Sequence, residues 1–337
     1  MKRYVGRLAP SPTGALHLGN VRTFMIAWLR ARSQGGKVIF RMEDLDHPKD
    51  KPGAAAQAVE DLRWLGFDWD EEYVQSERKA IYRQALQSLC IQTFKHSNIR
   101  TIPLVYPCVC SRRDVEAAQS APHAGEQLHY PGTCRGRFET WREALASKLA
   151  STRQPAANYQ LPATNLPCWR FAVAPNTVVA FDDVFAGHYE QNVSETLGDF
   201  PLARDEFGAG YTLACTVDDL LMGVTEVVRG DDLLPATPAQ ILLAQSLKHS
   251  NIQTFEHSNI PSYCHVPLVV GRDGKRLAKR HGDTRVATCR AEGKRPEEIL
   301  GLLAASCGWA AKGELVSLRE LVPRFDLGTI PHEPFMI

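Results

Sequence analysis

Residues 7–20 read RLAPSPTGALHLGN. The apolar pair Tyr4-Val5 leads into Arg7, then a turn of Pro, Ser and Gly, and then His17-Leu18-Gly19-Asn20 at the start of a helical stretch. That order is the layout of a strand-to-helix turn at the mouth of a nucleotide-binding α/β sheet. The small residues Ala9, Ser11, Gly14 and Gly19 let the backbone approach a ligand closely. The helix that follows directs its free N–H groups at an anion.

Working outward, 21–33 places apolar residues at helical spacing (Val21, Phe24, Met25, Trp28, Leu29) and stops at Gly35-Gly36. Residues 38–40 read as a buried strand, and 54–66 as an amphipathic helix ending at Gly66. Strand, helix, strand, helix predicts a parallel sheet with crossovers, an α/β Rossmann-like domain. Residues 105–135 break the rhythm, 151–167 read as a loop, and 177–200 hold short β-like runs of an inserted lobe. From 211 the buried strand and helix patterning returns, and a short helical region closes the chain. The expected division is 1–104 and 201–265 for the two halves of the sheet domain, 105–200 for the lobe, and 266–337 for a basic loop with helices. IQTFKHSNI at 91–99 recurs as IQTFEHSNI at 252–260, and both copies read as duplicated surface insertions in loops.

Composition narrows the function classes. At 337 residues the chain suits two domains or one with insertions. Nine cysteines in a chain of this size are not a disulfide scaffold; free thiols with a metal site are expected, in the cytoplasm. No apolar run suits a membrane span and no secretory leader is evident. A net charge of +1 excludes a wholesale polyanion binder but allows a local basic patch, and 271–295 gathers such charge.

Four constellations could carry chemistry. His17, at a helix start, can donate to a phosphate oxygen and to charge developing there, while Gly19 leaves room for a purine. In GKRLAKRHGD (274–283) the cations Arg276 and Lys279 can straddle a triphosphate. Arg7 and Arg229 at strand ends, with Glu43 and Tyr211, suit a small molecule bearing two carboxylates and an ammonium. Cys108, Cys110 and Cys134 have the spacing of a closed structural zinc site. Its fourth ligand is open between His123, His129 and Tyr130.

The first run resembles the leading signature of class I aminoacyl-tRNA synthetases in its glutamyl form, and 274–283 resembles their lysine-rich second signature. That resemblance implies His17 and Lys279 as catalytic groups, and His17, Gly19, Asn20, Arg276 and Lys279 around ATP with Mg²⁺. It implies Arg7, Ala9, Ser11, Glu43, Tyr211 and Arg229 around L-glutamate, and one structural zinc on Cys108, Cys110, Tyr130 and Cys134. The chain departs from the pattern at Arg276 (a lysine), Ala278 (a serine) and Cys215 (an asparagine in full-length glutamyl enzymes). After Arg280 only residues 281–337 remain, so an anticodon-reading helical domain is not expected. The chain is therefore similar to the truncated paralogues that attach glutamate to queuosine in tRNA(Asp). This implies a monomer whose catalytic domain holds the anticodon arm of tRNA(Asp). A shortened glutamyl-tRNA synthetase charging the 3′ end of tRNA(Glu), or an inert RNA- or amino-acid-binding paralogue, would share these motifs; the RNA acceptor and turnover separate them.

Overall fold

Strand β1 (Val5–Leu8) is buried at Gly6, Arg7 and Leu8 and pairs in parallel with β2 (Lys37–Met42), Arg7 opposite Ile39. Between them α1 (Leu18–Arg32) crosses over and buries Val21, Met25, Ile26, Trp28 and Leu29, as its spacing predicts. Each such apolar side chain contributes about 1.5–3 kcal/mol when taken from water. Gly36 turns the chain back where a Cβ would stand 2.8 Å from the Tyr4 carbonyl and 2.9 Å from that of Ala31. Helix α2 (Ala54–Trp64) leads to β3 (Glu71–Val74), which extends the sheet in parallel beyond β2. The structure is a computed structural model and describes residues 3–45, 51–96, 100–111, 113–115, 129–151, 166–206, 208–250, 252–275, 277 and 284–337.

Helix α3 (Lys79–Cys90) is followed by the antiparallel hairpin of β4 (Thr93–His96) and β5 (Arg100–Pro103). The first nonapeptide copy thus enters a strand, where a plain loop was expected. Strand β6 (Val105–Cys108), helix α4 (Trp141–Ala150) and β7 (Cys168–Phe171) come next. They are followed by the hairpin β8 (Val178–Asp183)–β9 (Gly187–Asn192) and by β10 (Phe200–Ala203). Strands β10, β7 and β6 form an antiparallel sheet in that order, which reaches the expected border of the lobe at residue 200.

The parallel half then resumes. Helix α5 (Tyr211–Leu221) precedes β11 (Glu226–Gly230), α6 (Thr237–Lys248) follows, and β12 (Ser262–Val266) pairs with β11 in parallel. The Thr225 N–H donates to the Val5 carbonyl (2.9 Å) and Arg7 Nη1 to that of Val228 (2.8 Å), so β11 lies beside β1. Chain order therefore switches between β1 and β11, and in such sheets ligands sit outside the carboxyl ends of the strands at that point. The second nonapeptide copy forms a helical turn, Gln253–Glu256, with Phe255 in the core.

Strand β13 (Val269–Val270) pairs with β14 (Phe335–Met336), and α7 (Pro296–Ala305) packs on α1. Arg22, 1% exposed, ties these layers together by donating to the Pro267 carbonyl (2.7 Å) and to Ser306 Oγ (2.9 Å). Among the described residues no helix is long and apolar enough to cross a membrane.

Candidate active site

A cavity of 810 Å³ opens at the carboxyl ends of β1, β2 and β11. Arg7, Ala9, Ser11, His17, Gly19, Asn20, Glu43, Tyr211 and Arg229 all line it, so the structure brings together every expected ATP and glutamate residue that it describes. Arg276, Ala278 and Lys279 lie outside the described residues. The chain on both sides of their run is nonetheless anchored at the cavity. On one side, Val269 lines the cavity wall. On the other, the Leu18 N–H donates to the Thr284 carbonyl (3.0 Å) and that of Val286 to the Leu16 carbonyl (2.9 Å).

His17 caps α1. Its Nδ1 accepts the Asn20 N–H (3.4 Å), while Asn20 Oδ1 accepts the His17 N–H (3.3 Å). The pair closes a reciprocal capping box, satisfying two donors at the helix start. Both residues thus serve the helix as well as facing the cavity; the cap engages Nδ1, and a phosphate contact would fall to Nε2. A Cβ on Gly19 would meet the His17 ring at 3.1 Å and Val269 at 3.4 Å, so a larger residue would narrow the slot between them.

The floor is a buried network that the motifs do not reveal. Arg41, fully buried, donates to Asp219 Oδ1 (2.7 Å) and Glu43 Oε1 (2.9 Å). Burial works against its charge, but Asp219 and Glu43 more than offset this and hold the guanidinium above its usual range. Asp218 is taken up by Gln75, Arg78 and Tyr82 at 2.8–3.0 Å. Cys215 donates to Glu43 Oε1 (3.1 Å). Burial first, and then the Glu43 charge, push this thiol well up, so it stays a neutral donor.

The two cavity arginines carry fewer carboxylate contacts than Arg41. Arg7, whose buried Nε lacks a hydrogen-bond partner as that of Arg41 does, has one, Asp219 at 3.8 Å. Arg229, 5% exposed, donates from Nε to His265 Nε2 (3.0 Å) and from Nη2 to Thr237 Oγ1 (2.8 Å). Its partners among the described residues are thus both neutral. A desolvated guanidinium held only by neutral groups has a large unmet preference for an anion.

A second cluster lies in the lobe. The ligand atoms of Cys108, Cys110 and Cys134 all lie within 4.8 Å of one another, with Cys110 and Cys134 Sγ 3.6 Å apart. Two thiolates on one tetrahedral zinc stand about 3.8 Å apart, given Zn–S bonds near 2.3 Å. The Tyr130 hydroxyl is 3.2 Å from Cys108 Sγ and 3.6 Å from Cys110 Sγ. It also accepts the Cys134 N–H (3.0 Å). The His129 ring instead bonds the Ser194 carbonyl at 3.0 Å, and His123 lies outside the described residues. Hydrogen bonds from Cys110, Cys134 and Cys168, with the Arg170 charge, hold the Cys108 thiol far below its ordinary range. Arg170 donates to Cys108 Sγ (3.2 Å) and lies 3.9 Å over the Tyr130 ring. Packed sulfur donors around one anion are a donor set that a zinc ion fits. Cys168, which no motif singles out, stands opposite Cys108 in the β6–β7 pair and hydrogen-bonds to it, outside the group of three thiols.

A parallel sheet with a cavity at its switch point, a histidine-capped first helix and an inserted antiparallel lobe define a class I tRNA synthetase catalytic domain. The family model for tRNA synthetases class I (E and Q), catalytic domain, matches residues 4–334, and the chain belongs to that family. Within it, the chain is 42% identical to the glutamyl-Q tRNA(Asp) synthetase of Symbiobacterium thermophilum, over 98% of this chain and 95% of that one. The glutamate–tRNA ligase of Aquifex aeolicus is 34% identical over 99% of this chain, which spans 64% of that protein. Among solved structures, a glutamate tRNA ligase from Elizabethkingia meningosepticum in complex with its amino acid superposes with a TM-score of 0.74. The two are 26% identical, and the match covers 99% of this chain and 67% of that one.

Proposed function

We propose that the protein activates L-glutamate with ATP, without needing tRNA, and transfers the glutamyl group to queuosine at the wobble position of tRNA(Asp). The observation that carries this reading is the pair of cavity arginines. Arg229 has only neutral partners, and Arg7 meets a single carboxylate, Asp219 at 3.8 Å, which Arg41 holds more closely at 2.7 Å. The cavity therefore offers two guanidinium groups to a ligand with two carboxylates. Glutamine, with one, leaves a cation uncompensated. End-to-end similarity to glutamyl-Q tRNA(Asp) synthetases supports the RNA half of the reading.

In this scheme Glu43 and Tyr211 receive the ammonium, and Ala9 and Ser11 form the wall beside it. The adenosine lies over Gly19, with His17, Asn20, Arg276 and Lys279 toward the phosphates and Mg²⁺ accompanying ATP. The α-carboxylate of glutamate attacks the α-phosphorus and pyrophosphate leaves, its growing charge met by His17 and Lys279. A hydroxyl of the queuosine ring then attacks the mixed anhydride and releases AMP. Positioning and charge stabilisation are the protein's main contribution. Cys108, Cys110, Cys134 and Tyr130 would hold a structural zinc ion, its closed shell leaving no position for chemistry. The protein acts as a monomer in this reading, gripping the anticodon arm of tRNA(Asp).

ATP–pyrophosphate exchange is the test. Exchange that depends on glutamate, needs no tRNA and is abolished in a folded Lys279→Ala variant is expected. Wild-type exchange in that variant would remove Lys279 from the mechanism, and absence of exchange in the wild type would overturn the activation step.

A further inference from the structure

Arg229 can serve as a carboxylate fork only if its guanidinium is held in one plane and one direction, and what holds it lies outside the cavity. Its Nε and Nη2 together form one edge of the guanidinium. That edge is already committed, Nε–H to His265 Nε2 (3.0 Å) and Nη2–H to Thr237 Oγ1 (2.8 Å). The end of the fork, Nη1 with the second hydrogen of Nη2, is what remains for the cavity.

His265 is 1% exposed and does not line the cavity. Its Nδ1 is 2.6 Å from Asp183 Oδ2. Asp183 is fixed in turn: its Oδ1 accepts the backbone N–H groups of Ala186 (2.8 Å), Phe185 (3.0 Å) and His265 itself (3.0 Å). A carboxylate so engaged accepts the Nδ1 proton and leaves the lone pair on Nε2, pointing at Arg229. Burial keeps the imidazole below its ordinary range against the pull of Asp183, with the Arg229 charge adding to the effect, so the ring is neutral near pH 7. The Thr237 hydroxyl, 3.2 Å from the Leu233 carbonyl, can donate there and turn its oxygen to Arg229. Every proton in the chain from Asp183 to Arg229 then has an acceptor.

We infer that His265, locked by Asp183 from the β8–β9 hairpin, is the positioning residue that sets the direction of the Arg229 fork and with it the cavity's preference for an anionic amino-acid side chain. The inference rests on the reading of the cavity as a glutamate site and deepens it. It also gives the inserted lobe a task at the cavity. The Val184 N–H donates to the Tyr263 carbonyl (2.8 Å), seating the hairpin on β12, so the lobe delivers Asp183 from a part of the sequence remote from every motif.

Two substitutions separate the two bonds of the ring. His265→Asn keeps an N–H toward Asp183 but removes the acceptor for Arg229. His265→Gln places an amide oxygen near the Nε2 position and gives up Asp183. ATP–pyrophosphate exchange is measured on the full chain with glutamate and ATP varied in turn, glutamine as competitor, and thermal melting as a control. The wild type is assayed first: no glutamate-dependent exchange there overturns the reading of the cavity and this inference together, before any variant is made. With exchange present, His265→Asn is expected to raise the glutamate KM about tenfold and narrow the preference over glutamine, with the ATP KM unchanged. His265→Gln is expected to recover the glutamate KM to within about threefold of wild type. Equal losses in both variants, an ATP KM rising in step, or a wild-type glutamate KM in His265→Asn would overturn the inference while leaving the cavity reading intact. If neither His265 variant folds, Thr237→Val decides: it removes the second anchor of Arg229, together with the Thr237 Oγ1–His265 Nε2 contact (3.1 Å), and leaves the His265–Asp183 bond in place. A raised glutamate KM at constant ATP KM supports the inference, and an unchanged one overturns it.

Discussion

The cavity and the thiol cluster are both arrays of buried polar groups poised for a ligand, and they are built in opposite ways. In the cavity, Arg41, Asp218, Asp219 and Glu43 compensate one another, Arg7 shares Asp219, and Arg229 is held by neutral groups from β12 and α6. The support comes from a sheet with its own apolar core. In the lobe, three thiols and a phenol crowd within a few ångströms, with Arg170 as the cation beside them. Among the described residues their own small core is six: Tyr106, Cys108, Val115, Tyr130, Cys134 and Ala172. Three of those six belong to the donor set itself. One site rests on the core of a sheet, the other on a small core made half of its own donors.

The largest effect that would break this contrast is at the arginines. Arg229→Ala is expected to lower kcat/KM for glutamate in pyrophosphate exchange by about 100-fold or more, because it removes a charge-assisted contact in a desolvated site. The far-ultraviolet circular dichroism should not change. A variant that stays active places the carboxylate contact elsewhere.

Next comes the lobe. Stripping metal with a chelator, or Cys134→Ser, is expected to release zinc and to cost at least about 2 kcal/mol of stability, several degrees in melting temperature. Exchange with glutamate should stay within about twofold, since the donor set shares no residue with the cavity lining. Unchanged metal content in Cys134→Ser would refute the donor set. A collapse of exchange in step with metal loss would erase the distinction between the two sites.

A smaller effect is pH dependence. His265 faces Asp183, Arg229 and Tyr263, and its folded-state affinity for protons is depressed, by burial first. For Asp183, burial works upward, but hydrogen bonds from His265 and Ala186 outweigh it and hold the carboxyl low. In both cases the unfolded chain binds protons more readily than the folded one. Their stabilisation is therefore complete above the ordinary histidine range and is lost as pH falls through it and then through the carboxylate range. Melting temperature should drop on acidification from pH 7 to pH 4, with a shallower slope between pH 7 and 5 in His265→Gln. An equal slope in that variant assigns the loss to other groups.

The smallest expected change is at Cys215. Cys215→Ser keeps a donor to Glu43 Oε1 and should alter the glutamate KM by about threefold or less. A larger change would give this residue a direct part in selectivity.

What the sequence disclosed follows from the range of the interactions. The turn at 7–20, α1 and its histidine cap are local, so their residue order and spacing revealed them. The cavity arginines were legible as residue types at strand ends. Their supports were not: Arg41 meets Asp219 across 178 positions of sequence and His265 meets Asp183 across 82, and no local pattern encodes either pair. Cys168 escaped for the same reason, because its neighbour depends on which strands pair. The repeated nonapeptide shows the limit most directly. Thr93–His96 is a strand because the following Arg100–Pro103 folds back on it, whereas Gln253–Glu256 is a helical turn whose Phe255 is buried beneath α6 and α5. Partners, not propensity, decided between the two.

The central claim, glutamate activated in the cavity and delivered to an anticodon nucleoside, is tested most directly by following the label. The protein is incubated with ATP, labelled glutamate and either queuosine-containing tRNA(Asp) or tRNA(Glu), and the labelled nucleoside is identified after nuclease digestion. Label on the queuosine of tRNA(Asp) is the predicted result; label on the 3′ end of tRNA(Glu), or on neither RNA, would contradict it.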